Sequence, residues 1–384
     1  MYNEVFKKID ELFPKYVKVW EEICNIESPT DCKEGVDAVC DYFVKMANEL
    51  GWNVEISRQE NAGNAACITI NPEVEAPHIC FSGHMDTVHP IGSFGYPPVR
   101  VEGEKIFGPG VTDCKGGCVS SFLAMDALFK CGFKKRPVKL ILQSDEETGS
   151  KTSGKKTVEF MCEKAKGAVA FLNGEGCAVE SKWTVALSRK GILRYRFNIQ
   201  GRAVHSSACY NGASAIAEAA HKILELERMK DKAGLTCNCG VIEGGTVANT
   251  VPEKCSFIAD IRFATMAQMQ EAEREVMRVA NINYIDGCKC VLEKVSDRPP
   301  MEKSEKNIAL LEKMNSVMAE CGFDAIKGES RNGGSDAAYI TAIGVPCVDN
   351  IGILGGGIHS GSEFALISSL AEAAKVMAAA AIGI

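Results

Sequence analysis

The 384-residue sequence predicts an α/β domain interrupted by an inserted α+β unit. Three observations carry this reading. Helical and strand patterns alternate through the first half, as they do where helices cover a sheet on both faces. The middle section changes to half-exposed strand patterns with two helices between them. The apolar alternation resumes after Arg298-Pro299-Pro300. A chain of this length also exceeds the usual reach of one hydrophobic core, so two domains are expected.

Residues 34–50 repeat apolar side chains at helical spacing (Val36, Val39, Phe43, Met46, Leu50) and predict an amphipathic helix. Strands are expected at 53–57, 65–70 and 78–82. A Gly/Pro-rich loop leads to a helix over 117–129. The short apolar run VKLILQ at 138–143 suits a buried parallel strand. In the middle section, 191–200 alternates like a strand with one wet face. A helix over 213–229, strands at 241–242 and 255–263, a helix over 268–279 and a strand at 291–295 follow. This strand–helix–strand–strand–helix–strand order suggests a small ferredoxin-like sandwich. The expected division is 1–188 with 299–384 for the α/β domain, and 189–298 for the insertion.

Composition narrows the function classes. Hydrophobic residues are 46% and charged residues 24%, an ordinary globular balance. Mean hydropathy is −0.04, and no apolar run is long enough to span a bilayer. The opening MYNEVFKKIDELFPKY mixes acids and bases with apolar residues at helical spacing, without the apolar centre of a signal peptide. The net charge of −7 argues against a nucleic-acid partner, and a soluble cytoplasmic protein is expected. The 18 cysteines are scattered without a CxxC pair. Cys237/Cys239 and Cys288/Cys290 are CxC pairs, which would share one face of a strand. Neither a disulfide framework nor a zinc ribbon fits this spacing, and buried reduced thiols are expected.

Five short segments concentrate metal-ligand residue types. Ser82-Gly-His84-Met-Asp86-Thr87 follows an apolar strand. A carboxylate two residues from a histidine can fix its tautomer for a metal, although a polar strand end would look the same. Asp113 lies in Gly108-Pro-Gly-Val-Thr-Asp113, where an acid can equally be a helix cap. Asp145, Glu146 and Glu147 are adjacent at the end of VKLILQ, where α/β sheets bind ligands and where a cation relieves mutual repulsion. Glu175 stands in Gly174-Glu175-Gly176, and His359 in a glycine-rich loop that by itself reads as surface. Together, His84, Asp113, Glu147, Glu175 and His359 are a mixed imidazole and carboxylate set suited to zinc, with cobalt or manganese as substitutes. Five ligands exceed one tetrahedral ion with an open position and suit two ions sharing a carboxylate. Of two adjacent glutamates, one can ligate while the other serves as a general base.

The ordered motifs GHMDTV, GPGVTDCKGG, SDEETGS, GRAVHSS, GGTVANTVP, DIRF, RNGGSDAAY and GGGIHSGSE resemble the aminoacylase/carboxypeptidase family of co-catalytic zinc exopeptidases. The likeness is greatest to glutamate carboxypeptidases of the carboxypeptidase G type and runs through nearly the whole chain. It implies a zinc-exopeptidase-like α/β catalytic domain and an inserted dimerisation domain. It also implies two Zn2+ per chain, one on His84 and Glu175, the other on Glu147 and His359, with Asp113 between them. Asp86 would support His84. Glu146 would activate a zinc-bridging water. A cis peptide would follow Asp113. His205 in GRAVHSS would reach the partner subunit's active site as an oxyanion donor. Asn249 and Arg262 would bind substrate, Arg262 taking its free carboxylate, and Gly334 and Ser335 would line the pocket, with Arg298 assisting. The chain departs from many relatives in having Glu175-Gly176 where they have Glu-Pro, which would leave that segment freer. His78 and His221 match no metal position and read as structural, while His89 is a candidate to line the pocket.

The implied activity is hydrolysis of an amide bond beside a free carboxylate, in a small peptide or N-acyl amino acid. An N-acyl-amino-acid deacylase is the rival within the same chemistry. A non-catalytic metal-binding protein and a single-metal, redox-active thiol protein using the many cysteines, with Cys114 beside Asp113, are rivals of other classes.

Overall fold

A computed structural model describes residues 1–231 and 234–384, and these fall into two compact units. The first comprises Met1–Leu187, Lys303–Ser330 and Ser335–Ile384; the second comprises Ser188–Glu302 and Arg331–Gly334. The second unit therefore runs past 298 and takes in a short piece of the Arg331-Asn-Gly-Gly334 loop.

The first unit is α/β. Its main sheet has six strands in the order Asn53–Ser57, Ala65–Ile70, Val138–Gln143, Ile79–His84, Ala170–Asn173, Cys347–Val348. The last four run parallel, while Asn53–Ser57 and Ala65–Ile70 form an antiparallel hairpin on one edge. The central strands are buried along almost their whole length, as parallel strands with helices on both faces must be. One layer is built on helix Lys115–Lys130, buried from its first residue through Leu128. The alanine-rich helix Ser369–Gly383 and helix Tyr2–Asn25 pack against it. Tyr2–Asn25 presents Val5, Ile9, Tyr16, Val19, Trp20 and Ile23 as its buried stripe.

The second unit is a four-stranded antiparallel sheet in the order Thr236–Gly244, Lys254–Phe263, Gly191–Gln200, Lys289–Arg298. Helices Ala215–Leu226 and Met266–Asn281 complete the ferredoxin-like chain order. Strand Gly191–Gln200 alternates strictly, with Leu193, Tyr195, Phe197 and Ile199 in the core. Phe197 stacks on Phe257 at 4.6 Å. Thr265 and Gln268 close a capping box at the start of the second helix. The strand expected at 241–242 in fact spans Thr236–Gly244. It is an edge strand with its register broken between Cys239 and Val241, so its inner face lacks the alternation that marks a strand in sequence.

All 18 cysteines are free thiols, and all except Cys209 are buried or half-buried. Among the described residues, no helix is long and apolar enough to cross a membrane.

Candidate metal centre

Three parallel neighbours of the main sheet deliver acidic and imidazole groups at their C-terminal ends. His84 ends strand Ile79–His84; Glu146 and Glu147 follow Val138–Gln143 in a 3-10 turn; Glu175 comes two residues after Ala170–Asn173. The crevice beyond such strand ends is where α/β sheets take ligands. Asp113 arrives just ahead of helix Lys115–Lys130, through a cis Asp113–Cys114 peptide bond. His359 comes from the loop after strand Leu354–Gly356, in the left-handed backbone region with φ of 62°. Few side chains other than Asn, Asp and His sit there readily.

Glycines let these segments meet. A Cβ on Gly117 would lie 1.9 Å from the Gly174 carbonyl oxygen, and one on Gly352 would lie 2.0 Å from the same atom. The helix start, the Glu175 segment and the 350s loop thus touch backbone to backbone, and a side chain at either position would push Glu175 away. The segment is tied down on both sides. Gly174 N–H donates to Ser82 O at 2.7 Å, Gly352 N–H to Glu175 O at 3.1 Å, and Asn350 Nδ2 to Gly176 O at 2.6 Å. The absence of a proline at 176 therefore does not leave it loose.

The donor atoms converge around Asp113. Its Oδ1 lies 3.1 Å from His84 Nε2, and its Oδ2 lies 3.1 Å from His359 Nε2. Glu175 Oε1 joins the first histidine at 3.7 Å, and Glu147 Oε2 joins the second at 3.4 Å. One carboxylate thus faces two histidine–glutamate pairs, one with each oxygen. His84, Asp113 and Glu147 can hold a metal ion, as can His84, Cys114 and Glu175. Cys114 carried no ligand role in the sequence reading; its Sγ donates to Gly174 O at 3.2 Å.

The electrostatics are those of crowded acids short of positive charge. Burial, with the neighbouring Asp113 and Glu146 carboxylates, pushes Glu147 up to about 7. Burial and the charges of Asp113 and Glu146 raise Glu175 well above the carboxylate range. Hydrogen bonds to Asp113 and Glu147 lift His359 to about 10. Burial disfavours the charged form of His84, but its contacts with Asp113 and Asp86 outweigh that and raise it. Asp113 is buried as well, yet the two histidines hold it far below its usual value. Glu147 Oε1 is buried without a hydrogen-bond partner. A site with four clustered carboxylates, an orphaned carboxylate oxygen and two imidazoles fits two divalent cations in charge and donor type.

Asp86 is fully buried beneath the site. Its carboxylate accepts from Thr30 Oγ1 at 2.7 Å and from the backbone N–H groups of Glu146 and Glu147 at 3.2 and 3.1 Å. Glu146 is itself mostly buried, and its carboxylate stands beside those of Glu147 and Glu175. His78 bonds the Lys164 carbonyl and His221 stacks on Tyr284. His89 is only 6% exposed and contacts Glu363 at 2.7 Å, so it lies behind the ligand loops and does not line an open pocket.

In the second unit, His205 and Asn249 are exposed and adjacent, with Ser206 N–H donating to Asn249 O at 2.9 Å. His205 Nδ1 accepts the Ser207 N–H at 3.3 Å. A neutral imidazole accepting at Nδ1 carries its proton on Nε2. Arg262 lies half-buried on the sheet face, with Nε and Nη2 held by Asp260 at 2.6 and 3.2 Å. Ile192 pairs with Arg262 on one side and Arg298 on the other, which sets both arginines on one face. Gly334 is half-exposed in the same unit. Ser335, in the first unit, is fully buried; its hydroxyl accepts from Asn173 Nδ2 at 3.1 Å and Ala337 N–H at 3.2 Å.

A model of the family described as Peptidase family M20/M25/M40 matches residues 80–382. Carboxypeptidase G2 of Pseudomonas sp. (strain RS-16) is 28% identical over 375 residues, covering 96% of this chain and 89% of that protein. Aminopeptidase PepT of Bacillus cereus shares the fold with a TM-score of 0.74 at 21% identity, over 96% of this chain and 97% of that one. The Bacillus subtilis YXEP protein, described as a dinuclear metal binding peptidase, shares it with a TM-score of 0.69 at 15% identity, over 97% and 98%.

Proposed function

The chain belongs to peptidase family M20/M25/M40 and is a peptidase- or amidohydrolase-type enzyme, and from that premise we propose a two-metal carboxypeptidase or dipeptidase. The observation that carries the reading is Asp113, whose two oxygens face separate histidine–glutamate pairs. In this reading His84 and Glu175 would hold one cation and Glu147 and His359 the other, with Asp113 available to both. Imidazole and carboxylate donors suit Zn2+, with Co2+ or Mn2+ as substitutes. When bound, the cations supply Lewis acidity and lower the pKa of water at the site.

The chain's own residues do the rest. Glu146 takes the proton of the attacking water and returns it to the leaving nitrogen, so that it ends the cycle ionised again. Asp86 orients His84. His205 presents Nε2–H as a donor for the developing oxyanion of the partner subunit's site, in a homodimer built through the second unit. Arg262 offers Nη1 to the free carboxylate of the substrate and Asn249 helps to bind it, with Gly334 and Ser335 in the loop that the motif resemblance assigns to substrate binding.

The substrate is a small peptide or N-acyl amino acid; the likeness to carboxypeptidase G2 over most of both chains supports it. Metal analysis of the purified protein, followed by hydrolysis across dipeptides and N-acyl amino acids, tests the proposal. Two metal equivalents and chelator-sensitive hydrolysis are expected. Turnover confined to N-acyl amino acids would make the enzyme a deacylase. Bound metal without any hydrolysis, or no metal at all, would sink the catalytic reading.

A further inference from the structure

Glu363 is a fully buried carboxylate that the sequence motifs leave without a role. Its Oε1 accepts the backbone N–H groups of Thr112 at 2.8 Å and Asp113 at 3.0 Å. Its Oε2 accepts the Gly110 N–H at 3.3 Å and meets His89 Nε2 at 2.7 Å. Three of these donors belong to the loop that ends in Asp113. The fourth, His89, is fixed by Phe94, whose ring meets it edge-on at 4.9 Å.

Glu363 also stands four residues after His359. Its own N–H donates to Ser360 O at 3.1 Å, inside the loop that carries that histidine. Its carbonyl accepts the Gly108 N–H at 3.3 Å, and Thr112 Oγ1 donates to Phe364 O at 2.7 Å. The following strand, Phe364–Leu366, is paired with both Lys105–Phe107 and Leu354–Gly356. One residue therefore clasps the Asp113 loop with its side chain and belongs to the His359 loop by its main chain.

We infer that Glu363 is a positioning residue that sets the spacing between Asp113 and His359, and with it the geometry of the metal position they share. The inference rests on the two-metal reading proposed above. Charge-assisted bonds to backbone N–H groups are short and directional, so they hold a loop in place more firmly than neutral acceptors do. Partners behind the ligands typically change metal affinity by about 10–100-fold. The His89 contact occupies the remaining side of Oε2, so no lone pair of this buried acid is left to pull the loop elsewhere.

The test uses metal-free full-length protein titrated with Co2+, read by visible absorption, by competition with a chelator and by melting temperature. The wild type is expected to take two equivalents; failure to do so overturns the two-metal reading itself. Glu363→Gln keeps the shape but gives the Gly110 N–H a donor to face. It is expected to bind one of the two ions about 10–100-fold more weakly, with an altered Co2+ spectrum and a smaller metal-induced rise in Tm. His89→Phe should move the same readouts in the same direction by a smaller factor, and it carries the test if Glu363→Gln does not fold. Wild-type affinity and spectrum in both variants overturn the inference. So does a fall in metal-free Tm with the spectrum and the metal-induced rise unchanged, because that pattern marks a purely structural residue.

Discussion

Asp86 Oδ1 lies 3.3 Å from His84 Nδ1, and both side chains are buried. The same carboxylate caps the backbone of Glu146 and Glu147. A single residue thus holds one imidazole, whose Nδ1 also meets the Asp86 main-chain carbonyl at 2.9 Å, and the turn that carries two glutamates. Asp86→Asn leaves the volume but replaces one acceptor with a donor facing N–H groups. Metal affinity is expected to fall about 10–100-fold. Orphaning a buried N–H should also cost about 1–3 kcal/mol of stability. Chelator competition and denaturant unfolding measure the two effects, and an unchanged affinity would remove Asp86 from the support of the site.

Glu146→Gln is expected to keep the metals and lose turnover by about 10²–10⁴-fold, the usual reach of general acid–base catalysis. Its neighbour Glu147 has an orphaned oxygen and reaches His359 Nε2 at 3.4 Å, as a ligand would. The two glutamates should therefore separate cleanly, with Glu147→Gln losing metal. Metal content measured alongside kcat decides it, and a Glu146→Gln protein that has lost metal would exchange the two roles.

Much of this arrangement was legible in the chain, for identifiable reasons. His84, Glu147 and Glu175 sit directly beyond apolar strands, so their place at one sheet edge follows from the βα pattern. Asp113 and His359 stand in glycine-rich loops whose paths local pattern does not specify; residue type groups them with the rest, and the motif resemblance supplies the pairing. Glu363 ends the motif GGGIHSGSE, but its role is not legible there because its partners lie some 250 positions away along the chain. No local periodicity encodes such contacts. The same holds for His89, whose surroundings come from Phe94 and Glu363, and for Ser335, whose hydroxyl is taken by Asn173. The edge strand Thr236–Gly244 was read short because one of its faces is wet and its register is bulged.

Arg262→Ala should chiefly raise KM for substrates with a free carboxylate. A charge-assisted hydrogen bond of this kind is worth roughly 1.5–3 kcal/mol, or about 10–150-fold. Amide-capped analogues should be affected little. Equal losses on both substrate classes would show that Arg262 serves the sheet through Asp260 and not the ligand.

Asp260 gives a dependence on pH. Burial raises its carboxyl, but the hydrogen bonds from Arg262 and Arg194 outweigh this and hold it below its ordinary value. A depressed folded value means that the unfolded chain binds the proton first, at about pH 3.9. The stabilisation is therefore complete above that value and is lost as the pH falls from there through the folded value. Asp260→Asn should be less stable than the wild type at pH 7, with the gap closing below about pH 4. Urea unfolding of both proteins across that range measures it, and a gap independent of pH would assign the effect to packing.

His205 is fixed by Ser207, whose backbone N–H points at Nδ1. Nδ1 also meets the Ser207 hydroxyl at 2.8 Å, and a neutral ring that accepts from both carries its proton on Nε2, the form an oxyanion donor needs. Its side chain is exposed. If it donates to the transition state, His205→Ala should lower kcat by about 10²–10³-fold while leaving KM and metal content nearly unchanged. His205→Gln, which retains an N–H donor of similar reach, should recover part of that loss. Wild-type kcat in His205→Ala would exclude the donor role, and equal activities of the Ala and Gln variants would show that no N–H is required at that position.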